Sequence, residues 1–119
     1  MARYEKVAEQ IHKEISNILQ REINDPRLGF VTITRVELTQ DLRYAKVFFS
    51  VLGGEQEYKK SKQALDSALG FVRRLIAERV QLRFVPEIDF REDRSSEYSV
   101  KIQQVIDQIK EMDKKNNKE

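Results

Sequence analysis

The chain has 119 residues, 39% of them apolar, which is enough for one core and leaves little room for a second domain. It contains no cysteine, which excludes disulfides, thiolate metal sites and cysteine nucleophiles. The formal net charge is only +2, so a polyanionic partner has to be argued from local charge and not from the total.

The first element is predicted to be an amphipathic helix. Apolar residues recur three and four positions apart from Val7 to Leu19, with charged and polar residues between them. The helix should end near Glu22, since Pro26 disfavours helical backbone at Asp25. No apolar signal segment precedes the helix, and no apolar run is long enough to span a membrane. We therefore expect a cytoplasmic protein without a membrane partner.

Two strands are predicted next, joined by a short polar connection. Residues 31–38 are rich in β-branched side chains, but their alternation changes phase near Arg35. A β-bulge at that point, or burial of parts of both faces, would explain the change. Residues 45–51 alternate regularly, and Phe48 adds an apolar side chain to the second face. This pattern is typical of a central strand.

The longest helical pattern follows the glycine pair at 53–54 and covers residues 58–80. It is too long for one helix of a small domain, and Gly70 in its interior costs roughly 1 kcal/mol relative to alanine. We therefore predict a kink, or a break into two helices, at residues 68–70. Gly70→Val is expected to disrupt this kink and to lower stability. Pro86 is predicted to end the helical region.

A third strand and a final helix complete the predicted order. Residues 87–91 alternate as a strand does, and residues 100–109 show helical spacing. The first two strands should form an antiparallel hairpin, and the helix pair should be a crossover that places the third strand parallel to the second. The prediction is an α+β fold of order αββααβ, with helices on one face of a three-stranded sheet and an additional C-terminal helix. We expect one domain over residues 1–113 and a short polar tail over residues 114–119.

No group of side chains in the chain has the spacing that a known type of catalytic or metal site needs. His12 is the only histidine, and without a nucleophile or an orienting partner it is interpreted as a surface residue. The acidic residues between Glu87 and Glu97 could form a divalent-cation site, but Arg91 and Arg94 interrupt them, which favours a solvated strand end. There is no phosphate-binding loop and no dinucleotide motif. We expect no enzymatic activity and no cofactor.

Positive charge is concentrated on the predicted helix pair. Residues 59–83 contain seven basic and two acidic residues, a local charge of +5 against +2 for the whole chain. A basic helix beside a glycine kink suits the phosphate backbone of a nucleic acid. A solvated helix with an Arg74–Glu78 ion pair would explain the same charges. Phe71, beside the kink, is a candidate for stacking on a base, and equally a candidate for the core or its rim. The basic residues are Lys59, Lys60, Lys62, Arg73, Arg74, Arg79 and Arg83.

The order of elements and several separate motifs resemble a known family. The order αββααβ is similar to that of the type II KH fold, but Ala68-Leu69-Gly70 stands where KH domains carry a Gly-x-x-Gly loop. This Ala-x-Gly kink resembles that of the ribosome-binding factor A family, which are bacterial maturation factors of the small ribosomal subunit. Further similarity lies in residues 14–23, in the Asp-Pro-Arg-Leu-Gly turn of residues 25–29, and in residues 41–47 and 82–90.

The resemblance implies a function that composition could not supply. Members of the family bind the free small ribosomal subunit late in assembly, near its neck and the 5′ end of its ribosomal RNA. They support RNA processing and growth in the cold, and they leave before translation begins. By analogy the kink and the basic residues that follow it face RNA. The predicted RNA-binding residues are Lys59, Lys62, Ala68, Leu69, Gly70, Arg73, Arg74, Arg79 and Arg83.

Other functions remain open from the residues alone. A generic KH-like module would bind single-stranded RNA through aromatic or glycine-loop contacts, which are not found in the sequence. A protein–protein adaptor would use an exposed sheet edge or the C-terminal helix, and its binding would depend only weakly on salt. An enzyme would need a convergent polar group of side chains that the sequence does not display. Nothing in the sequence demands more than a monomer.

Overall fold

The computed structural model describes residues 2–93 and 108–109, and the fold is described for those residues. Three helices and three strands occur there: α1 (Arg3–Arg21), β1 (Val31–Leu38), β2 (Tyr44–Val51), α2 (Glu55–Ser67), α3 (Leu69–Arg79) and β3 (Glu87–Glu92). The α+β class and the αββααβ order are confirmed. The predicted C-terminal helix, apart from residues 108 and 109, and the polar tail lie outside the described residues. Within them, no helix combines the length and apolarity needed to cross a membrane.

β2 is the central strand of the sheet, whose order is β1-β2-β3. β1 runs antiparallel to β2, and β3 runs parallel to it, so both predicted pairings are confirmed. The register of the hairpin shifts between Ile33 and Arg35, so a bulge is the one of the two explanations left open by the sequence that the structure shows. Because of this shift, Ile33 and Val36 both lie opposite buried residues of β2, Phe49 and Val47. The bulge thus explains how the alternation can change phase while the same face of β1 stays buried.

One face of the sheet is covered by the helices, and the core lies between the two layers. The apolar stripe of α1 turns toward this face, as its periodicity predicted. Alternate residues of β2 and β3 meet it from the sheet. The most deeply buried members of the core include Ile11, Ile15, Ile18, Val47, Phe49, Leu65, Val72 and Ile76.

The opposite face of the sheet is not covered by any described helix. Phe48 lies on it, half-buried, and the guanidinium carbon of Arg35 lies 4.1 Å from the centroid of its ring. Tyr44 is exposed near the N-terminal end of the same strand. β2 therefore has apolar side chains on both faces, which is what the sequence predicted for a central strand.

His12 is half-buried, so the interpretation as an ordinary surface histidine is wrong. Its Nε2 lies 2.8 Å from the carbonyl oxygen of Ile33. Since a carbonyl oxygen can only accept, Nε2 carries the proton and donates it to this hydrogen bond. The contact ties α1 to β1 at the residue where the bulge begins. Helical periodicity cannot indicate a contact between residues so far apart along the chain.

α3 ends at Arg79, well before Pro86, so the predicted end of the helical region is wrong. Val80 has extended backbone, with φ −117° and ψ 127°, but its side chain is buried. Val80 continues the apolar spacing of the helix without being helical, so the predicted pattern of residues 58–80 runs one residue past the end of α3. The segment from Val80 to Pro86 instead leads back to the sheet as an irregular connection.

Arg79 joins the end of α3 to α1. Its Nη2 donates a hydrogen bond to the carboxylate of Glu22, and its Nη1 lies 3.7 Å from Oε2 of Glu14. The hydrogen bond from Arg79, reinforced by its charge, lowers the pKa of Glu22 below the ordinary value of 4.5. The ion pair therefore stabilises the contact between the two helices while Glu22 is ionised.

We expect Glu22→Gln to lower the free energy of unfolding at neutral pH and to have little effect in acid. Because folding lowers the pKa of Glu22, its stabilisation is fully present above the unfolded-state value near 4.5 and is lost as pH falls through the lower folded-state value. Urea unfolding of the parent and the variant between pH 7 and pH 3 measures this. Glu9→Gln, at an exposed position of α1, is the control. A difference between parent and Glu22→Gln that does not change with pH would contradict the prediction.

Candidate nucleic-acid interface

The break between α2 and α3 lies at Ala68, within the three residues predicted for it. Ala68 has φ −87° and ψ −1°. Its N–H donates to the carbonyl oxygen of Ala64 at 3.0 Å, and its own carbonyl oxygen accepts from the N–H of Val72 at 2.9 Å. The backbone hydrogen bonds therefore continue across the joint, and the two helices are linked by one residue without a loop.

Gly70 does not make the break, which corrects the glycine-kink prediction. It is exposed and lies inside α3, and a Cβ atom placed on it would meet nothing within 4 Å. There is thus no steric reason for Gly70→Val to disrupt the joint. Gly70 instead leaves bare backbone on the surface, two residues from Ala68, where a partner can approach closely.

The positive charge of the predicted interface belongs to α3 and not to α2. α2 has three basic and three acidic residues and is neutral as a whole. Lys59 pairs with Glu55 at 3.8 Å, and Lys62 pairs with Asp66 at 2.7 Å. The local charge of +5 was counted over residues 59–83. This range leaves out the two glutamates in the first turn of α2, so the count overstated the charge of the helix pair.

Arg73 holds the segment that leads into β3. Its Nε and Nη2 donate to the carbonyl oxygens of Pro86 and Val85, each at 3.3 Å, and Nη2 lies 3.5 Å from Oε1 of Glu87. Its guanidinium is therefore engaged within the fold by two hydrogen bonds and one ion pair. The side chain therefore lies along the rim of the core, half-buried.

Arg74 and Arg83 each lie over a phenylalanine ring. The guanidinium carbon of Arg74 is 5.3 Å from the ring centroid of Phe71, and that of Arg83 is 5.7 Å from that of Phe84. Both arginines are exposed, and neither has a carboxylate within 4.0 Å among the residues that the structure describes. The alternative Arg74–Glu78 pair is thus not formed. Stacking leaves the guanidinium N–H groups free to donate to phosphate oxygens.

Of these two phenylalanines, only Phe71 was identified from the sequence as a candidate for stacking. Phe71 was considered for stacking, for the core and for its rim, and at 36% exposure it lies at the rim. Phe84 was missed, although it is 64% exposed and lies in the connection between α3 and β3. An aromatic residue directly after an arginine, in a segment without regular periodicity, was the available signal.

The acidic residues of β3 do not form a metal site. No group of three or more histidine, cysteine or acidic side chains could hold a metal ion anywhere in the described ranges. Glu87, Asp89 and Glu92 are exposed, as expected of a solvated strand end, but Asp93 is buried and its N–H donates to the carbonyl oxygen of Phe49 at 2.8 Å. Glu97 lies outside the described residues.

Comparison with known proteins matches the chain to a family. The family model for ribosome-binding factor A matches residues 3–106. Ribosome-binding factor A of Halothermothrix orenii is 44% identical, over 98% of this chain and 96% of that protein. The crystal structure of ribosome-binding factor A from Thermus thermophilus superposes with a TM-score of 0.69 at 25% identity, covering 78% of this chain and 98% of that one. A homology model of the Thermus thermophilus factor, fitted into a cryo-EM map of its complex with the 30S subunit, superposes with a TM-score of 0.62 at 26% identity, covering 74% and 92%.

We expect Gly70→Ala to raise the free energy of unfolding by up to about 1 kcal/mol. Alanine has the higher helix propensity, and its Cβ atom would have open space. Thermal and urea unfolding measure the change. Ala77→Gly, at another exposed position of α3, should lower stability by a similar amount. A loss of stability in Gly70→Ala would show that this position needs glycine in the free protein.

Arg73→Ala and Arg74→Ala should differ in stability although the residues are neighbours. Arg73→Ala removes two hydrogen bonds to carbonyl oxygens and should cost about 1–3 kcal/mol of unfolding free energy. Arg74→Ala should stay within about 0.5 kcal/mol of the parent, since the side chain is exposed and contacts only a ring. Urea unfolding of both variants measures this. Equal losses would contradict the assignment of Arg73 to the fold.

Proposed function

The chain belongs to the ribosome-binding factor A family, and we propose that it binds the free small ribosomal subunit and acts in the late maturation of that particle and the processing of its ribosomal RNA. The observation that supports this most directly is the Thermus thermophilus homologue fitted into a 30S complex, because this chain shares its fold over 92% of that protein. We further propose that it acts in the cytoplasm as a monomer, without cofactor or catalytic step, through a KH-like domain that comprises residues 1–113.

The proposed RNA contact is centred on the start of α3. Ala68 and Leu69 form the joint, and the bare backbone at Gly70 lets a sugar–phosphate chain approach. Arg74 and Arg83 supply exposed guanidinium groups to phosphates. Arg73 and Arg79 instead stabilise the surrounding backbone, through hydrogen bonds to carbonyl oxygens and through an ion pair with α1 respectively. Lys59 and Lys62 contribute only if RNA displaces their exposed partners, which costs little because such pairs are worth about 0.3–0.5 kcal/mol.

The proposed mechanism is selective binding of one RNA conformation. Phosphate contacts provide affinity and orientation, and the shape of the joint selects a folded RNA surface. A protein that binds one conformation more tightly than another shifts the population toward it, and no bond is made or broken. The lack of a Gly-x-x-Gly loop argues against the four-nucleotide clamp of KH domains.

Cosedimentation with free small subunits and with complete ribosomes, across a salt series, tests the proposal. We expect stoichiometric binding to free subunits, weak binding to complete ribosomes and a steep loss of affinity with salt. Equal binding to any RNA would favour a generic RNA-binding module. Absence of binding to either particle would favour a protein–protein adaptor, and the exposed apolar pair Phe30 and Leu52, joined by a backbone hydrogen bond, would then be the surface to examine.

The same measurement on Arg74→Gln tests the placement of the interface. Loss of one phosphate contact should weaken binding and reduce the slope of log affinity against log salt by roughly 0.7–0.9. Arg35→Gln is a control for loss of an exposed arginine, because Arg35 also lies over a phenylalanine but on the sheet face opposite the helices, where it also lies 3.6 Å from Oε1 of Glu37. Equal behaviour of the two variants would place the RNA contact elsewhere.

A further inference from the structure

We propose that the cleft between Tyr44 and Phe84 binds one unpaired base of an RNA strand, with Arg43 and Arg83 contacting the adjoining phosphates. This deepens the proposed function, since it assigns a single-stranded nucleotide to one part of the RNA-binding surface. The cleft is a separate location from the joint at Ala68, and it can be tested with RNA that contains no ribosomal sequence.

The cleft lies where the N-terminal ends of β2 and β3 meet. Tyr44 pairs with Glu87 across the parallel strands, and the N–H of Glu87 donates to the carbonyl oxygen of Arg43 at 2.8 Å. The cavity has a volume of about 270 Å³ and is lined by Arg43, Tyr44, Phe84, Val85 and Glu87. This is just below the roughly 300–1,000 Å³ of pockets for drug-sized ligands, so it suits one planar ring system.

Two large aromatic side chains at the cleft are exposed. Tyr44 is 59% exposed and Phe84 is 64% exposed, so both leave ring surface in water. A base that stacks on these rings would bury that surface, and such stacking tolerates every base because each has a π-face. Exposed aromatic rings therefore fit an unpaired nucleotide whose sequence is not read.

The charges around the cleft favour a phosphate-bearing ligand over an apolar peptide. Arg43 lines the cavity, and Arg83 lies over Phe84. Neither guanidinium group has a carboxylate within 4.0 Å in the part of the chain that the structure describes. Asp41 accepts a hydrogen bond from the backbone N–H of Arg43 at 3.1 Å, which leaves the guanidinium N–H groups of Arg43 to the ligand. The one acidic residue that lines the cavity, Glu87, lies 3.5 Å from the guanidinium of Arg73, which offsets its charge.

Arg73 links α3 to the segment that forms one wall of the cleft. Its hydrogen bonds to the carbonyl oxygens of Val85 and Pro86 hold the segment that carries Phe84 against the helix. The neighbouring Arg74 belongs to the proposed phosphate-binding surface. A single RNA strand can therefore contact α3 with its phosphates and place a base in the cleft without any change in the fold.

A tryptophan reporter tests the proposal directly. The chain has no tryptophan, so Phe84→Trp introduces a single one at the cleft. We expect saturable quenching of its fluorescence when a six-nucleotide single-stranded RNA of mixed sequence is added to the full chain. Adding Tyr44→Ala to this reporter should weaken the affinity by roughly fivefold to a hundredfold, the range expected for loss of one stacking contact. Thermal melts check that both variants remain folded.

Phe30→Trp is the matched control. Phe30 is 81% exposed but lies beside the C-terminal end of β2, at the opposite end of that strand from Tyr44. At about 3.3 Å per residue, roughly 20 Å or more separate the two sites. The control should show no saturable quenching. Equal quenching in both reporters, no quenching in Phe84→Trp, or an affinity unchanged by Tyr44→Ala would each overturn the proposal.

The titration separates this proposal from the proposed function. A chain that fails to cosediment with small subunits but shows quenching that depends on Tyr44 keeps the nucleotide cleft and loses the maturation role. A chain that cosediments but shows no quenching in the Phe84→Trp reporter keeps the maturation role and loses the cleft.

Discussion

Burial of one face of β2 is the constraint on which the rest of the structure depends. Ala45, Val47 and Phe49 are all buried, and β2 pairs with a strand on each side. Covering a side chain such as Phe49 is worth roughly 1.5–3 kcal/mol, so the helices must lie over this face. The bulge in β1 and the crossover through α2 and α3 then follow, because each brings apolar residues to the same layer.

Much of the fold could be predicted because its signals are local. The strands and the phase change near Arg35 leave marks in the spacing of apolar residues. The break at residues 68–70 was predicted from the length of the helical pattern and from Gly70, although Gly70 does not make it. The apolar spacing places the end of α3 one residue too late, because Val80 is buried although its backbone is extended. The contact between His12 and Ile33 could not be predicted from the sequence either, because only the packing of α1 on β1 brings these two residues together.

The candidate site was harder to predict, because the sequence shows which residues are charged but not which groups they contact in the fold. The basic residues of the helix pair divide into those that the fold engages and those that it leaves exposed. Arg79 bridges two helices and Arg73 anchors a connecting segment, whereas Arg74 and Arg83 face solvent over aromatic rings. Only the positions of the neighbouring carbonyl and carboxylate groups decide between these uses, and those positions come from the fold. Phe84 shows the same limit, since it lines one cleft with Tyr44, which lies far away in the sequence.

Stacking of an arginine on a phenylalanine gives the exposed surface a property that lysines would lack. A free lysine or arginine side chain loses up to about 1.5–2 kcal/mol of rotamer freedom when a phosphate immobilises it. An arginine that already lies over a ring has lost part of this freedom on folding, and its planar fork still points several donors outward. Arg74 on Phe71 and Arg83 on Phe84 are both arranged in this way. The fold therefore prepares a small number of donors for a polyanion, and this is how a chain with a net charge of only +2 could serve the RNA contact that we propose.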